Sequence, residues 1–105
     1  MERTPPHPQV AQFALQQVLE ALVDPVRRSI VTQLSAADSD VACGAFAIAV
    51  SKSTATHHFK VLREAGLIRQ YYVGTARMNA LRRADMDEAF PGLLDALTTP
   101  QARQR

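Results

Sequence analysis

Lys52, Ser53, Thr54, Thr56, His57 and Lys60 stand within nine consecutive residues, and Arg63 follows one turn later. These types suit recognition better than catalysis. Lysine ammonium groups hold phosphate oxygens. Hydroxyls and an imidazole exchange hydrogen bonds with base edges. Carboxylates are nearly absent from the stretch, with only Glu64 close by. The types needed for acyl or phosphoryl transfer do not assemble. The three histidines are His7, His57 and His58, the single cysteine is Cys43, and no glycine-rich phosphate loop occurs. An enzyme is not expected.

The element that must position these residues is a helix with both ends marked. The hydroxyl of Ser51 is placed to accept an orphan backbone N–H of the first turn. Gly66 suits the position just past the end, where the chain usually turns left-handed. Ala55, Phe59 and Leu62 fall at helical spacing with His58 beside them, and form one buried stripe. Lys52, Ser53, Thr56, His57, Lys60 and Arg63 are expected on the opposite face. A helix packed on one side and offering cations and short polar groups on the other suits a DNA major groove.

The chain has 105 residues, enough for one modest core. No apolar run approaches the ~20 residues that span a bilayer, and residues 1–8 lack the apolar core of a secretory signal. One cysteine excludes an internal disulfide and fits a reducing, cytoplasmic setting. The net charge of +2 says little, but its distribution says more. Lys52, Lys60, Arg63, Arg69, Arg77, Arg82 and Arg83 face only Glu64 within residues 52–83, whereas the remainder is acidic. Such a concentration fits a phosphate-binding segment. Solvated surface charge is the plain alternative.

Residues 1–9, with three prolines, read as a flexible arm in which His7 is exposed. Residues 10–97 read as the folded domain and 98–105 as a loose tail. Val10 to Leu22 keeps helical spacing over more than one face. One side can bury within the domain and another against a partner, or the rest of the core can wrap it. Asp24 and Pro25 start a second helix, with Asp24 as cap. Arg27 and Arg28 near its start can touch phosphates or simply be solvated. Val41 to Val50 fits a brief helix, with the turn between Phe46 and Ser51. Ile68–Val73 and Arg77–Leu81, joined through Gly74 and Thr75, predict a two-stranded hairpin. Arg69 and Arg77 flank its tip, which fits a wing lying along a DNA backbone. Asp85 is expected to cap a helix reaching Phe90, and Leu93, Leu94 and Leu97 form a last apolar face expected to pack on the first helix, in the same chain, in a second copy, or both. The class is mainly α with a small β-hairpin, a winged helix-turn-helix.

Three pieces in order resemble the ArsR family of bacterial winged-helix repressors. They are ALVDPVRRSIVTQL (21–34), SKSTATHHFKVLREAGLI (51–68) and the hairpin at 69–81. The middle piece is the most specific. The resemblance implies a homodimer joined through its first and last helices, with two recognition helices in successive major grooves of a near-palindromic operator. It also implies repression relieved by an effector. Residues expected at DNA are Lys52, Ser53, Thr54, Thr56, His57, Lys60 and Arg77.

The departures matter as much. Metal-sensing members carry a Cys-x-Cys pair near the third helix, where this chain has Cys43 between Ala42 and Gly44. Others use Asp and His on the last helix. Here Asp85, Asp87, Glu88 and Asp95 occur, but no histidine follows His58. Neither known metal site is expected, and no cofactor. A dithiol switch would need a second cysteine. Cys43 is then either a small core residue or a single oxidisable thiol. An organic effector between the first and last helices stays open, as does repression without sensing. The rival of a different class is a winged-helix module for protein–protein contact, which would expose large apolar anchors on the same face.

Overall fold

The computed structural model describes residues 4–99. Its helices are α1 (Leu15–Leu22), α2 (Pro25–Ala36), α3 (Lys52–Ala65), α4 (Arg83–Ala89) and α5 (Leu93–Thr98). Its strands are β1 (Val41–Ala42), β2 (Ile68–Val73) and β3 (Ala76–Leu81), with 3-10 turns at Val10–Gln12 and Cys43–Ala45. Val18, Ile30, Val31, Leu62, Leu67, Ile68, Met86 and Leu94 are fully buried and join the helices to one face of the sheet. Among the described residues no helix is long and apolar enough to cross a membrane.

Local chemistry sets most of the boundaries. Asp24 caps α2 by accepting from the backbone N–H groups of Val26 and Arg27, and Pro25 occupies the first turn. Burial of Asp24 works against ionisation, but those two N–H bonds outweigh it and hold the carboxyl below its ordinary range. Gly74 takes φ +61° in the two-residue turn between β2 and β3, a backbone glycine adopts without strain. The hairpin is not alone, because β1 pairs antiparallel with β3 and gives the order β1-β3-β2. A two-residue strand has too few residues for any periodicity to mark it in the sequence.

Five further expectations need correction. The first helix does not run unbroken from Val10. Phe13 and Ala14 are extended, and Phe13 lies between Gly66 and Arg82, whose guanidinium carbon is 4.9 Å from its ring centroid. A Cβ at Gly66 would stand 2.3 Å from Phe13 Cε1, so Gly66 serves both this close approach and its own φ of +92°. The segment Val41 to Val50 is strand, 3-10 turn and extended link, not a helix. Asp85 does not cap α4; it lies in the first turn, where it pairs with Arg82 at 3.0 Å. Within one chain the last helix packs on α2 and α4 and not on the first helix.

The fifth correction is His7, which is half-buried. Its Nε2 accepts from Gln70 N at 2.9 Å, satisfying a backbone donor of the sheet edge. Arg82 Nη1 donates to Pro8 O at 2.8 Å and holds the same segment. Residues 1–3 and 100–105, which include most of the expected tail, lie outside the described residues.

Arg27, half-buried, and Arg28, exposed, are both tied to the end of the preceding helix. Arg27 Nε donates to Ala21 O at 2.6 Å, and Arg28 Nη1 donates to Leu22 O at 2.8 Å and Val23 O at 3.0 Å. The two guanidinium groups satisfy the orphan carbonyls at the end of α1, where the helix dipole also favours cations. Arg27→Ala should therefore lower stability by about 1–3 kcal/mol, read by urea denaturation. His7 supplies a pH dependence. Burial, then the charges of Arg63, Arg82 and Arg69, lower its pKa from the ordinary 6.5, outweighing an opposing backbone bond at Pro5. The unfolded imidazole then binds its proton at a higher pH than the folded one. Stability should fall as pH drops below about 6.5, and His7→Gln should flatten that part of the profile.

Candidate nucleic-acid interface

The sequence of α3 dictates both its ends. Ser51 Oγ accepts from Thr54 N at 3.2 Å, and Gly66 N donates to the carbonyls of Arg63 and Leu62. His58, Phe59, Leu62 and Ala65 bury the inner face, with Phe59 against Phe46 at a centroid distance of 5.3 Å. His58 is fixed from behind. Arg27 Nη1 lies 3.1 Å from His58 Nδ1, and a guanidinium can only donate, so Nδ1 is the acceptor.

On the outer face Lys52, Ser53, Thr54, Thr56, His57 and Lys60 are all exposed. Some of their hydroxyls are engaged locally. Thr56 Oγ1 donates to Lys52 O at 3.0 Å, and Thr54 Oγ1 accepts from Ser51 Oγ at 2.9 Å. Each hydroxyl keeps acceptor capacity for a ligand. Arg77 sits apart from α3 on β3, half-buried, stacked on Tyr72 at 5.0 Å and hydrogen-bonded to the Tyr72 hydroxyl. On the opposite strand Arg69 is exposed and stacks on Tyr71 at 4.9 Å. Asp40 accepts from the Tyr71 hydroxyl, and this bond chiefly raises the tyrosine pKa.

Arg63 is the residue the helical pattern misplaced. It is buried, and its Nη1 donates to Gln70 Oε1 at 2.7 Å. Gln70 Nε2 donates to Asn79 Oδ1 at 2.9 Å, and Asn79 Nδ2 donates to Cys43 Sγ at 3.2 Å and to Val41 O at 3.1 Å. Arg63 projects from the helix in nearly the same direction as Lys52 and Thr56. At the C-terminal end of α3, however, β2 covers that direction. Alternation along β2 signalled the inward place of Gln70, since Ile68 and Gln70 share one face. Cys43 is half-buried, packed against the apolar core, and its sulfur also accepts from this polar network.

Sequence reasoning also missed how the link before α3 is held. Gln33 on α2 clamps Ala47, accepting its N–H at 2.9 Å and donating to its carbonyl at 3.1 Å. The link thereby gains the two hydrogen bonds that a strand neighbour would give. Together these bonds hold α2, the link, α3 and the sheet in one arrangement, with the exposed face of α3 unobstructed.

Comparisons with known proteins agree with this geometry. Residues 22–71 match the helix-turn-helix domain family. The chain is 32% identical over 83 residues to the uncharacterized HTH-type transcriptional regulator YceK of Bacillus subtilis, spanning 77% of this chain and 83% of that protein. The chain belongs to the helix-turn-helix transcriptional regulators. Its fold is that of the ArsR-like winged-helix regulators. One from Rhodococcus sp. RHA1 superposes with a TM-score of 0.62 at 24% identity, over 78% of this chain and 77% of that one. A second ArsR family regulator gives 0.63 at 22% identity, over 92% of this chain and all of that one. For this regulator the polar network sets an expectation. Gln70→Leu strips partners from the buried Arg63 and from Asn79, and should cost about 2–3 kcal/mol in urea denaturation.

Proposed function

We propose that this regulator is a cytoplasmic repressor that binds a near-palindromic operator as a homodimer. One observation carries the reading. The capped helix α3 exposes Lys52, Ser53, Thr54, Thr56, His57 and Lys60 together while its inner face is locked in the core. A helix so presented fits the major groove, and the hairpin with Arg69 and Arg77 fits the adjoining backbone. Ser53, Thr54, Thr56 and His57 read base edges. Lys52, Lys60 and Arg77 hold phosphates. The family's DNA-binding function supports this division only in outline; the roles come from position and side-chain chemistry.

Dimerisation rests on a separate feature. Leu15, Leu19 and Val23 are 48%, 47% and 73% exposed and lie four residues apart on one side of α1 and its end. Such an apolar row on the surface suits an isologous contact with a second copy. The protein-contact module is the weaker reading. The exposed face of α3 has no large apolar side chain among its residues.

Binding titrations on labelled duplex test the division of roles. Lys60→Ala should weaken all sequences alike and reduce the salt slope by about one. Thr56→Ala or His57→Ala should change the preferred sequence. Lys60→Ala changing sequence preference alone would overturn the assignment.

A further inference from the structure

A cleft of about 430 Å3 opens between the link, α3 and the wing. Its walls are apolar, made by Phe46, Ile48, Val50, Ala55 and Phe59. Its polar boundary includes Lys52, Thr56 and Arg77, and none of the residues lining it is a carboxylate. Cys43 also lines it. The cleft does not depend on closure of a loop. Gln33 pins the link at Ala47, and the Phe46–Phe59 ring pair fixes the wall against α3.

An apolar body in this space would leave its charged end beside an ammonium and a guanidinium with no competing anion. Among the described residues Lys52 carries no ion pair and Arg77 is paired only to a tyrosine hydroxyl and ring. A cation in the same place would meet two like charges. A neutral ligand would leave both unused. The volume suits a small ligand of ordinary size.

We propose that this cleft binds a small amphipathic monoanion, a carboxylate on an apolar chain or ring, and that the ligand acts as an effector. The apolar part lies against Ile48, Phe46 and Phe59, and the carboxylate takes Lys52 and Arg77. The binding site stands on the cleft alone. Its regulatory consequence rests on the DNA-contact reading above, which gives Lys52 and Arg77 to phosphates. Ligand and DNA then claim the same two cations, so binding is mutually exclusive and needs no long-range conformational change.

The test uses decanoate as probe, with decanol as its uncharged counterpart, and two independent readouts. The first is the alkylation rate of Cys43 by iodoacetamide without DNA, unambiguous because Cys43 is the single cysteine. The second is the affinity for a labelled duplex. At ninety per cent occupancy, decanoate should slow alkylation about tenfold and raise the apparent Kd for DNA about tenfold, as the competent fraction falls. Decanol should do far less in both. Ile48→Trp, which fills the cleft, should lose both responses. Gly44→Leu serves as a second filling variant, since nothing lies within 4 Å of a Cβ there. Equal protection by decanol would overturn the anion selectivity. DNA release without protection of Cys43 would place the effect elsewhere and overturn the site. Protection of Cys43 in a protein that binds no DNA would keep the site and reject the regulatory role together with the DNA-contact reading.

Discussion

The hydrogen bond from Arg63 to Gln70 joins the helix that presents the candidate interface to the sheet that forms the wing. Both residues are buried, so neither can turn to water if the pair opens. A charge in that position has to be matched, and Gln70 offers its carbonyl oxygen to the guanidinium while its amide continues the chain to Asn79. Asn79 then reaches β1 at Val41 and the thiol of Cys43. Four segments distant in sequence are thereby held in one register. Apolar packing alone would hold α3 against the sheet but would not fix its rotation as closely, because hydrophobic contact has no direction. Among the described residues Arg63 Nε is a buried donor without a partner, a cost that the rest of the network offsets.

Elements with local punctuation were legible in the sequence. Ser51 and Gly66 bounded α3, Asp24 and Pro25 opened α2, and Gly74 marked the turn between β2 and β3, each because the residue type answers a local backbone need. The ArsR resemblance is matched by the fold. What escaped was set by tertiary contact. Phe13 leaves the helical course to lie on Gly66, and no local signal marks that break. Arg63 looked solvent-facing because helical phase does not reveal which end of a helix a sheet will cover. His7 looked idle among prolines, yet it meets an edge-strand N–H more than sixty residues away in sequence. Arg27 and Arg28 looked free, yet they complete the carbonyl end of the preceding helix.

The candidate interface and the cleft behind it share Lys52, Thr56 and Arg77. On the proposed reading this overlap joins affinity for DNA to any occupant of the cleft through direct competition. Among the described residues no group of three His, Cys, Asp or Glu side chains is placed to hold a metal ion. The polar network bears on Cys43 as well. Its sulfur accepts from Asn79, so modification of the thiol would disturb a contact tied to Gln70 and, through it, to α3.

On the proposed reading, the exposed face of α3 reads DNA sequence as one half of a symmetric pair. Selection of bound sequences from random duplex DNA, at two salt concentrations, tests it most directly. The expected result is an inverted repeat whose half-sites persist at the higher salt. Recovery of no motif, with weak binding lost steeply as salt rises, would contradict it and reduce the basic face to a non-specific patch.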